Sequence, residues 1–427
     1  MSIPATSEQH HPALDISWVR AQFPSLHRSI GSHAAAFLDA PAGTQVPQRV
    51  IDAVRNYYEQ SNANTCGAFQ TSRHSDALIA SARAAMADFF NCAPDELFFG
   101  PNMTTLTFAL SRAIGRELHQ GDEIVVTTLD HDANVAPWRA LEERGIVIRQ
   151  VDICLDDCTL DLDDLRRKIT PRTRLVAVGH ASNAVGTINP VKEIIRLTHA
   201  AGALAFIDAV HYAPHGPIDV RALDCDFLAC SPYKFFGPHI GCIYGKREHL
   251  LRFRPYKVRP APDTLPDRWE TGTQIHEGLA GVAAAVDYLA DLGRHNAPAT
   301  PISRRAAILA AYASIRQHEM SLATHMIRGL LEIPGLRFFG ISDPARFADR
   351  VPTVGVRLAN HSPLEAATFL GDRGIFTWDG NYYALNLTES LGVEQSGGLL
   401  RVGLVHYNTL DEVERLLAAL RELGAGR

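Results

Sequence analysis

No cysteine stands beyond Cys242 in a chain of 427 residues, and the seven present form no C-x-x-C pair. Cys66, Cys92, Cys154, Cys158, Cys225, Cys230 and Cys242 are odd in number and scattered, which fits reduced thiols in the cytoplasm better than a disulfide framework. A basic surplus is missing too. Lys and Arg total 41 against 47 Asp and Glu, so the net charge of −6 gives nucleic-acid binding no electrostatic support. No apolar run approaches the length of a membrane span. The first residues lack a basic segment followed by an apolar core and do not read as a signal peptide. Ser2 to Pro12 are polar and expected to fray. Phosphate-binding signatures fail as well. No G-x-G-x-x-G follows the first strand, and Gly241-Cys-Ile-Tyr-Gly245-Lys246 is one residue short of a Walker A loop and lacks its Ser/Thr.

What is present is a strand–helix alternation from Leu97 to Tyr244, with strands that are apolar throughout. Such strands are buried on both faces, so the pattern predicts an α/β domain with a mostly parallel sheet. Within it, helices are expected near Ser75–Phe90, Val135–Glu143 and Val191–Ala201. After about Pro255 a proline-rich linker leads to two long helical patterns, near Glu277–Leu292 and Ser303–Leu331. Strands near Thr353–Leu358, Ile375–Trp378 and Leu400–Val405 then predict a smaller α+β domain. The division expected is 1–36 as an N-terminal arm and helix belonging with the small domain, 37–290 as the large domain, and 291–427 as the small one.

The stretch Ser231-Pro-Tyr-Lys-Phe-Phe-Gly-Pro238 ends an apolar strand with a lysine boxed by aromatic residues. Desolvation disfavours an ammonium, which would leave Lys234 a nucleophilic amine able to form an imine. A lysine that snorkels from an aromatic edge to water reads equally well from this segment alone. Other polar residues fall at strand ends, where open α/β sheets bind ligands: Thr104 and Thr105, His131, Asn183, Asp208 with His211, and Ser231. Each has a plain alternative, such as helix capping for the threonines. Pyridoxal 5′-phosphate gives all of them a task at once. Lys234 forms the imine, and Asp208 keeps the pyridinium nitrogen protonated. Thr104, Thr105 and Ser231 sit where the phosphate would lie. His131 stacks on the ring, while Asn183 and His211 reach its phenolic oxygen.

The residues Lys234 in S-x-x-K, Asp208-x-x-His211, His131-Asp-Ala-Asn-Val-Ala-Pro-Trp138 and Ala181-Ser-Asn-Ala-Val-Gly-Thr187 resemble class V aminotransferases of pyridoxal-phosphate fold type I. The branch they resemble contains cysteine desulfurases and selenocysteine lyases. The likeness runs from about Phe37 to the C-terminus. It implies a homodimer with the active site shared between subunits, in which Thr273 reaches the partner's cofactor phosphate. It also implies that Arg401 holds the carboxylate of an amino-acid substrate, a task suited to a guanidinium fork. The expected chemistry runs through an external aldimine and a Cα carbanion.

The resemblance breaks at one loop. Desulfurases carry a nucleophilic cysteine there; this chain has Trp378-Asp-Gly-Asn-Tyr-Tyr-Ala384, with Tyr383 where the cysteine belongs and Trp378 in place of an arginine. Tyr233 also replaces the histidine that precedes the lysine. The loop resembles a desulfurase-like subgroup with a W-D-G-x-Y-Y-A pattern. Asp379, Tyr382 and Tyr383 are then expected against the substrate side chain, in a lyase-type reaction without a persulfide. Transamination, epimerisation and decarboxylative carbon–carbon bond formation are the alternatives that the class offers. Two further readings remain: a metal-dependent hydrolase using His131, Asp132, Asp208 and His211, and a non-catalytic scaffold.

Overall fold

The computed structural model describes residues 13–296 and 302–426; the reading made above for Ser2 to Pro12 lies outside them. The strands that position the site are β1 (Ala36–Phe37), β2 (Leu97–Gly100), β3 (Glu123–Thr127), β4 (Val147–Val151), β5 (Thr173–Gly179), β6 (Leu204–Asp208), β7 (Phe227–Cys230) and β8 (Gly241–Gly245). They continue with β9 (Leu336–Phe339), β10 (Thr353–Leu358), β11 (Ile375–Phe376), β12 (Trp378–Gly380) and β13 (Leu399–Gly403). Seven form one sheet in the order β2-β8-β7-β6-β5-β3-β4, parallel except where β8 runs against both neighbours.

Alternation along these strands feeds two cores. Phe99, Val125, Val176 and Ile207 point to one face, while Phe98, Ile124, Leu175 and Phe206 point to the other. Apolar packing covers both faces of the central strands, which is why they carry no polar alternation, while the edge strand β4 is half-exposed. A second, antiparallel sheet, β9-β10-β13-β12, has its own core with the helices Pro363–Gly371 and Leu410–Gly424. The N-terminal segment enters the same core, where β1 pairs in parallel with β11 in a two-stranded sheet of their own. The helices His276–Asn296 and Arg304–Leu331 pack side by side. No described helix is long and apolar enough to cross a membrane.

Three elements differ from expectation for local reasons. The helix expected from Ser75 starts at Gln70, because Ser72 and Ser75 do not cap it. Their hydroxyls bond the preceding loop instead, at the Gly67 N–H and the Ala63 carbonyl. The helix expected over Val135–Glu143 is broken into short 3-10 and α turns around Pro137, which has no N–H to continue a ladder. The strand expected over Ile375–Trp378 is two short strands serving different sheets.

The small sheet is fastened to the large one by a buried cation. Arg350 is 3% exposed. It donates to the carbonyls of Val185 at 3.2 Å, Thr353 at 2.6 Å and Ile341. Val185 belongs to the loop after β5 and Thr353 opens β10, so one guanidinium spans the junction.

Candidate active site

The carboxyl ends of β3, β5, β6 and β7 converge on a pocket of about 650 Å³, where the strand order reverses between β3 and β5. Thr104, His131, Asn183, Asp208, His211, Ser231 and Lys234 line it. An outer pocket of about 1260 Å³ shares His131, Asn183, Tyr233 and Lys234 and adds Arg401, Trp378, Asp379, Tyr382 and Tyr383. Of the residues expected from the sequence, two lie elsewhere. Thr105 lines neither pocket; its N–H is capped by the Asn102 side chain at 2.8 Å, which makes Asn102 the residue at the pocket edge. Thr273 is exposed and lines neither pocket of its own chain.

Lys234 is buried at the end of a 3-10 turn, and burial first, then Arg401, pushes its amine down to about 7. The snorkelling reading fails: the amine turns inward, donates to the Pro41 carbonyl and lies 4.8 Å from the centre of the Tyr233 ring. Asp208 ends β6, and burial pushes its carboxyl up to about 6. Oδ1 accepts from the Val210 N–H at 2.8 Å, and among the described residues no cation contacts the carboxylate. His131 accepts from the Ala133 N–H through Nδ1 at 3.0 Å, which leaves Nε2 to carry the proton of the neutral ring. Burial holds it neutral, down at about 3. His211 meets the Thr353 hydroxyl at 3.0 Å, so the small domain touches the inner pocket directly.

Arg401 is 4% exposed. One N–H donates to the Asn183 carbonyl at 2.9 Å, and the guanidinium lies 4.1 Å from the centre of the Tyr382 ring. It has no carboxylate partner among the described residues, so its remaining donors face the outer pocket. Tyr382 and Tyr383 both adopt left-handed backbone, at φ of 55° and 61°. That conformation is costly for two bulky residues in a row. It is held by both carbonyls: Tyr382 accepts from the Asn183 side chain at 2.9 Å, and Tyr383 from the Asp132 N–H at 2.7 Å. The Tyr383 ring then stacks on His131 at 5.3 Å.

Asp379 sits across from Leu400, and Trp378 across from Arg401. Strand alternation therefore puts Trp378, rather than the Asp379 carboxylate, on the face that carries Arg401.

Sequence reasoning passed over Asp130, whose carboxyl lines the inner pocket and is pushed up to about 7 by burial. It accepts from Thr127 at 2.6 Å and Asn134 at 3.1 Å. Gly179 leaves it room, since a Cβ there would stand 2.7 Å from its Oδ1. Its position next to His131 was the available signal. Asp39 and Pro41 were also passed over, because nothing local marks them. Among the described residues no three His, Cys, Asp or Glu side chains converge as metal ligands, so the Asp208-x-x-His211 pair is not assembled into a metal site.

The chain matches the model of the family described as aminotransferase class-V over residues 36–416. The chain belongs to the class V aminotransferase family. It is a pyridoxal 5′-phosphate enzyme of fold type I. It is 33% identical to a cysteine desulfurase of Dickeya dadantii over 97% of both chains, and 31% identical to a probable cysteine desulfurase of Synechocystis over 94% of both. Among solved structures, it resembles the apo cysteine desulfurase of Thermococcus onnurineus with a TM-score of 0.85 and 27% identity, covering 96% of this chain and 98% of that one. An Escherichia coli cysteine desulfurase crystallised as an S-sulfonic acid gives 0.82 at the same identity and coverage. In this class V enzyme all seven cysteines are free, and none lines either pocket.

The residues fit the cofactor. Asp208 offers a carboxylate with no cation in contact among the described residues, free to pair with a protonated ring nitrogen. Asn183 Oδ1 is buried without a partner. The helix Met103–Gly115 opens at the pocket. Gly241 makes that approach possible, since a Cβ there would meet the backbone of Asn102 and Met103.

Proposed function

We propose that this enzyme transforms an L-amino acid by a lyase-type cleavage of a side-chain bond, with Lys234 as its only covalent catalyst and no sulfur carried on the protein. The observation that carries this reading is the outer pocket. Arg401 stands ready for a carboxylate, while Tyr383 and not a thiol faces His131.

When bound, pyridoxal 5′-phosphate supplies an aldehyde that condenses with an amine and a cationic ring that withdraws electrons from the substrate's Cα. The chain's own groups do the rest. Asp208, ionised above about 6, keeps a proton on the ring nitrogen. Thr104, Ser231 and the helix N-terminus at Met103 suit the phosphate. His131, flat and neutral, covers the ring, and Asn183 and His211 lie within the same pocket for its phenolic oxygen. Arg401 takes the substrate carboxylate through donors already desolvated. Tyr382 holds that guanidinium flat from below, which fixes the orientation of Cα. The Lys234 amine, with its pKa near 7, can take the Cα proton and return it close to neutral pH. Asp379, Tyr382 and Tyr383 are then set against the side chain, with Trp378 beside them in the same pocket. A homodimer with Thr273 serving the partner's site is part of this reading; the exposure of Thr273 supports it.

Transamination is the second reading, favoured by the family's own chemistry. The test is a panel of L-amino acids added to the cofactor-loaded enzyme, read by absorbance and by mass spectrometry of the products. A side-chain fragment is expected, together with ammonia and a 2-oxo acid that has lost that fragment. Transfer of the amino group to the cofactor with an intact keto acid would replace the lyase reading by transamination.

A further inference from the structure

The segment from Asp39 to Thr44 is tied at both ends of the site. At one end, Asp39 bridges to Gly403, and the Gly403 N–H donates to the Leu38 carbonyl at 2.8 Å. Gly403 lies two residues from Arg401 on β13. The Pro41 ring packs against it so closely that a Cβ on Gly403 would fall on the ring. At the other end, the Thr44 N–H donates to the Tyr233 carbonyl at 3.0 Å, and the Thr44 hydroxyl accepts from the Phe236 N–H at 2.8 Å. Tyr233 precedes Lys234 in its turn and Phe236 follows two residues after it. Between the two anchors, the Pro41 carbonyl receives the Lys234 amine, and Pro41 and Ala42 line the outer pocket with Lys234 and Arg401.

Asp39 completes the arrangement. Its Oδ1 is buried without a hydrogen-bond partner. A carboxylate oxygen kept bare in the interior costs free energy unless nearby charge compensates it. Two buried cations lie close by, Lys234 and Arg401, and they favour the ionised form that burial opposes. Each cation is favoured in return: Asp39 acts on both.

We propose that the strap Asp39–Thr44 is a positioning element that sets the reach between Lys234 and Arg401. The Pro41 carbonyl is the resting place of the Lys234 amine whenever it is not bonded to the cofactor. Asp39 is the anion that lets two cations share one pocket. The inference rests on the reading of Lys234 as the imine lysine. Substrate cleavage on this view needs the amine returned to one place on each turnover, and the strap, anchored against the strand that carries Arg401, supplies that place.

The test is a spectrophotometric pH titration of the cofactor-loaded enzyme, followed through the yellow absorbance of the Lys234 imine. The charged and titratable groups around that nitrogen are Arg401, Asp208, Asp39, His131, His211 and Tyr233. Asp39→Asn removes a negative charge from this set, so the protonated imine loses support. Its midpoint is expected to fall by roughly one pH unit, for a charge at mid-range separation in a partly buried site. Gly403→Ala, which pushes the strap off β13, is expected to move the midpoint in the same direction and carries the test if Asp39→Asn does not fold. A purely structural role would lower the thermal midpoint and leave the titration unchanged, and that result overturns the proposal. A wild-type enzyme that takes up pyridoxal phosphate without forming the absorbance would sink the imine reading, and the strap with it.

Discussion

Lys234→Ala is expected to lower turnover by about 10³-fold or more, since it removes both a covalent link and the group that moves the Cα proton. Cofactor should still bind through Asp208 and the helix opening at Met103, but its absorbance should be that of a free aldehyde. The same position carries a stability prediction with a definite sign. The folded protein holds the amine near 7, against 10.5 ordinarily. The unfolded chain therefore keeps the proton over a range where the folded one releases it. Burying Lys234 costs stability in full below about pH 7, and the cost fades as pH rises through about 10.5. Lys234→Met should accordingly be more stable than the wild type by a few kcal/mol at pH 7, with the cofactor absent from both. The two should converge towards pH 10.5, and unfolding midpoints measured across that range check it. Equal stability at every pH would mean that the amine is not desolvated. A catalytic group that weakens the fold is the expected signature of a site kept for chemistry.

Arg350→Ala is expected to cost about 3–5 kcal/mol, because several buried carbonyls lose their only charged donor at once. The guanidinium itself is pushed down to about 9 by burial, so it stays charged at neutral pH. The Val185 carbonyl comes from the loop after β5 and the Thr353 carbonyl from β10, and Thr353 also holds His211. Loss of the clamp should loosen the junction as well as lower the urea midpoint. Arg350→Lys keeps the charge but not the planar fork, and should recover only part of the loss. A change under about 1 kcal/mol in Arg350→Ala would place the junction's strength elsewhere.

Much of the site could be read from the sequence, because a buried parallel sheet leaves few reasons for polar residues at its strand ends. Asp208 closes an apolar strand, and Ser231 with Lys234 follows another; the fold brings them together with His131 and Asn183. The pairing of the threonines could not be read. Either could cap the helix, and the cap is in fact Asn102, which leaves Thr104 at the pocket and turns Thr105 away. Trp378 was not read as a contact, yet strand register sets it opposite Arg401, while Asp379, opposite Leu400, lines the outer pocket as well. The strap was invisible for a different reason. Pro41 and Lys234 are 193 residues apart, and a backbone carbonyl carries no residue signature. The small domain's edge strand β9 was passed over because Leu336-Arg-Phe-Phe339 is too short to show a period.

The loop from Trp378 to Ala384 carries the proposed reaction. Its left-handed tyrosines are tied to Asn183 and Asp132, so the position facing His131 is fixed as an aromatic ring. The thiols lie elsewhere in the fold. Cys230, Cys225 and Cys242 are buried, and burial pushes each thiol up, away from the reactive thiolate. Cys158 is raised to about 11 by burial as well.

The central claim, that Lys234 works without a sulfur-bearing partner residue, is tested most directly by mass spectrometry. The cofactor-loaded enzyme is incubated with excess L-cysteine, without reductant, and its intact mass and cysteine peptides are measured. The mass is expected to stay unchanged, with no added sulfur on any of the seven cysteines, even if sulfide is released to solution. A stoichiometric adduct of one sulfur atom on a single cysteine, formed only while Lys234 is intact, would contradict it.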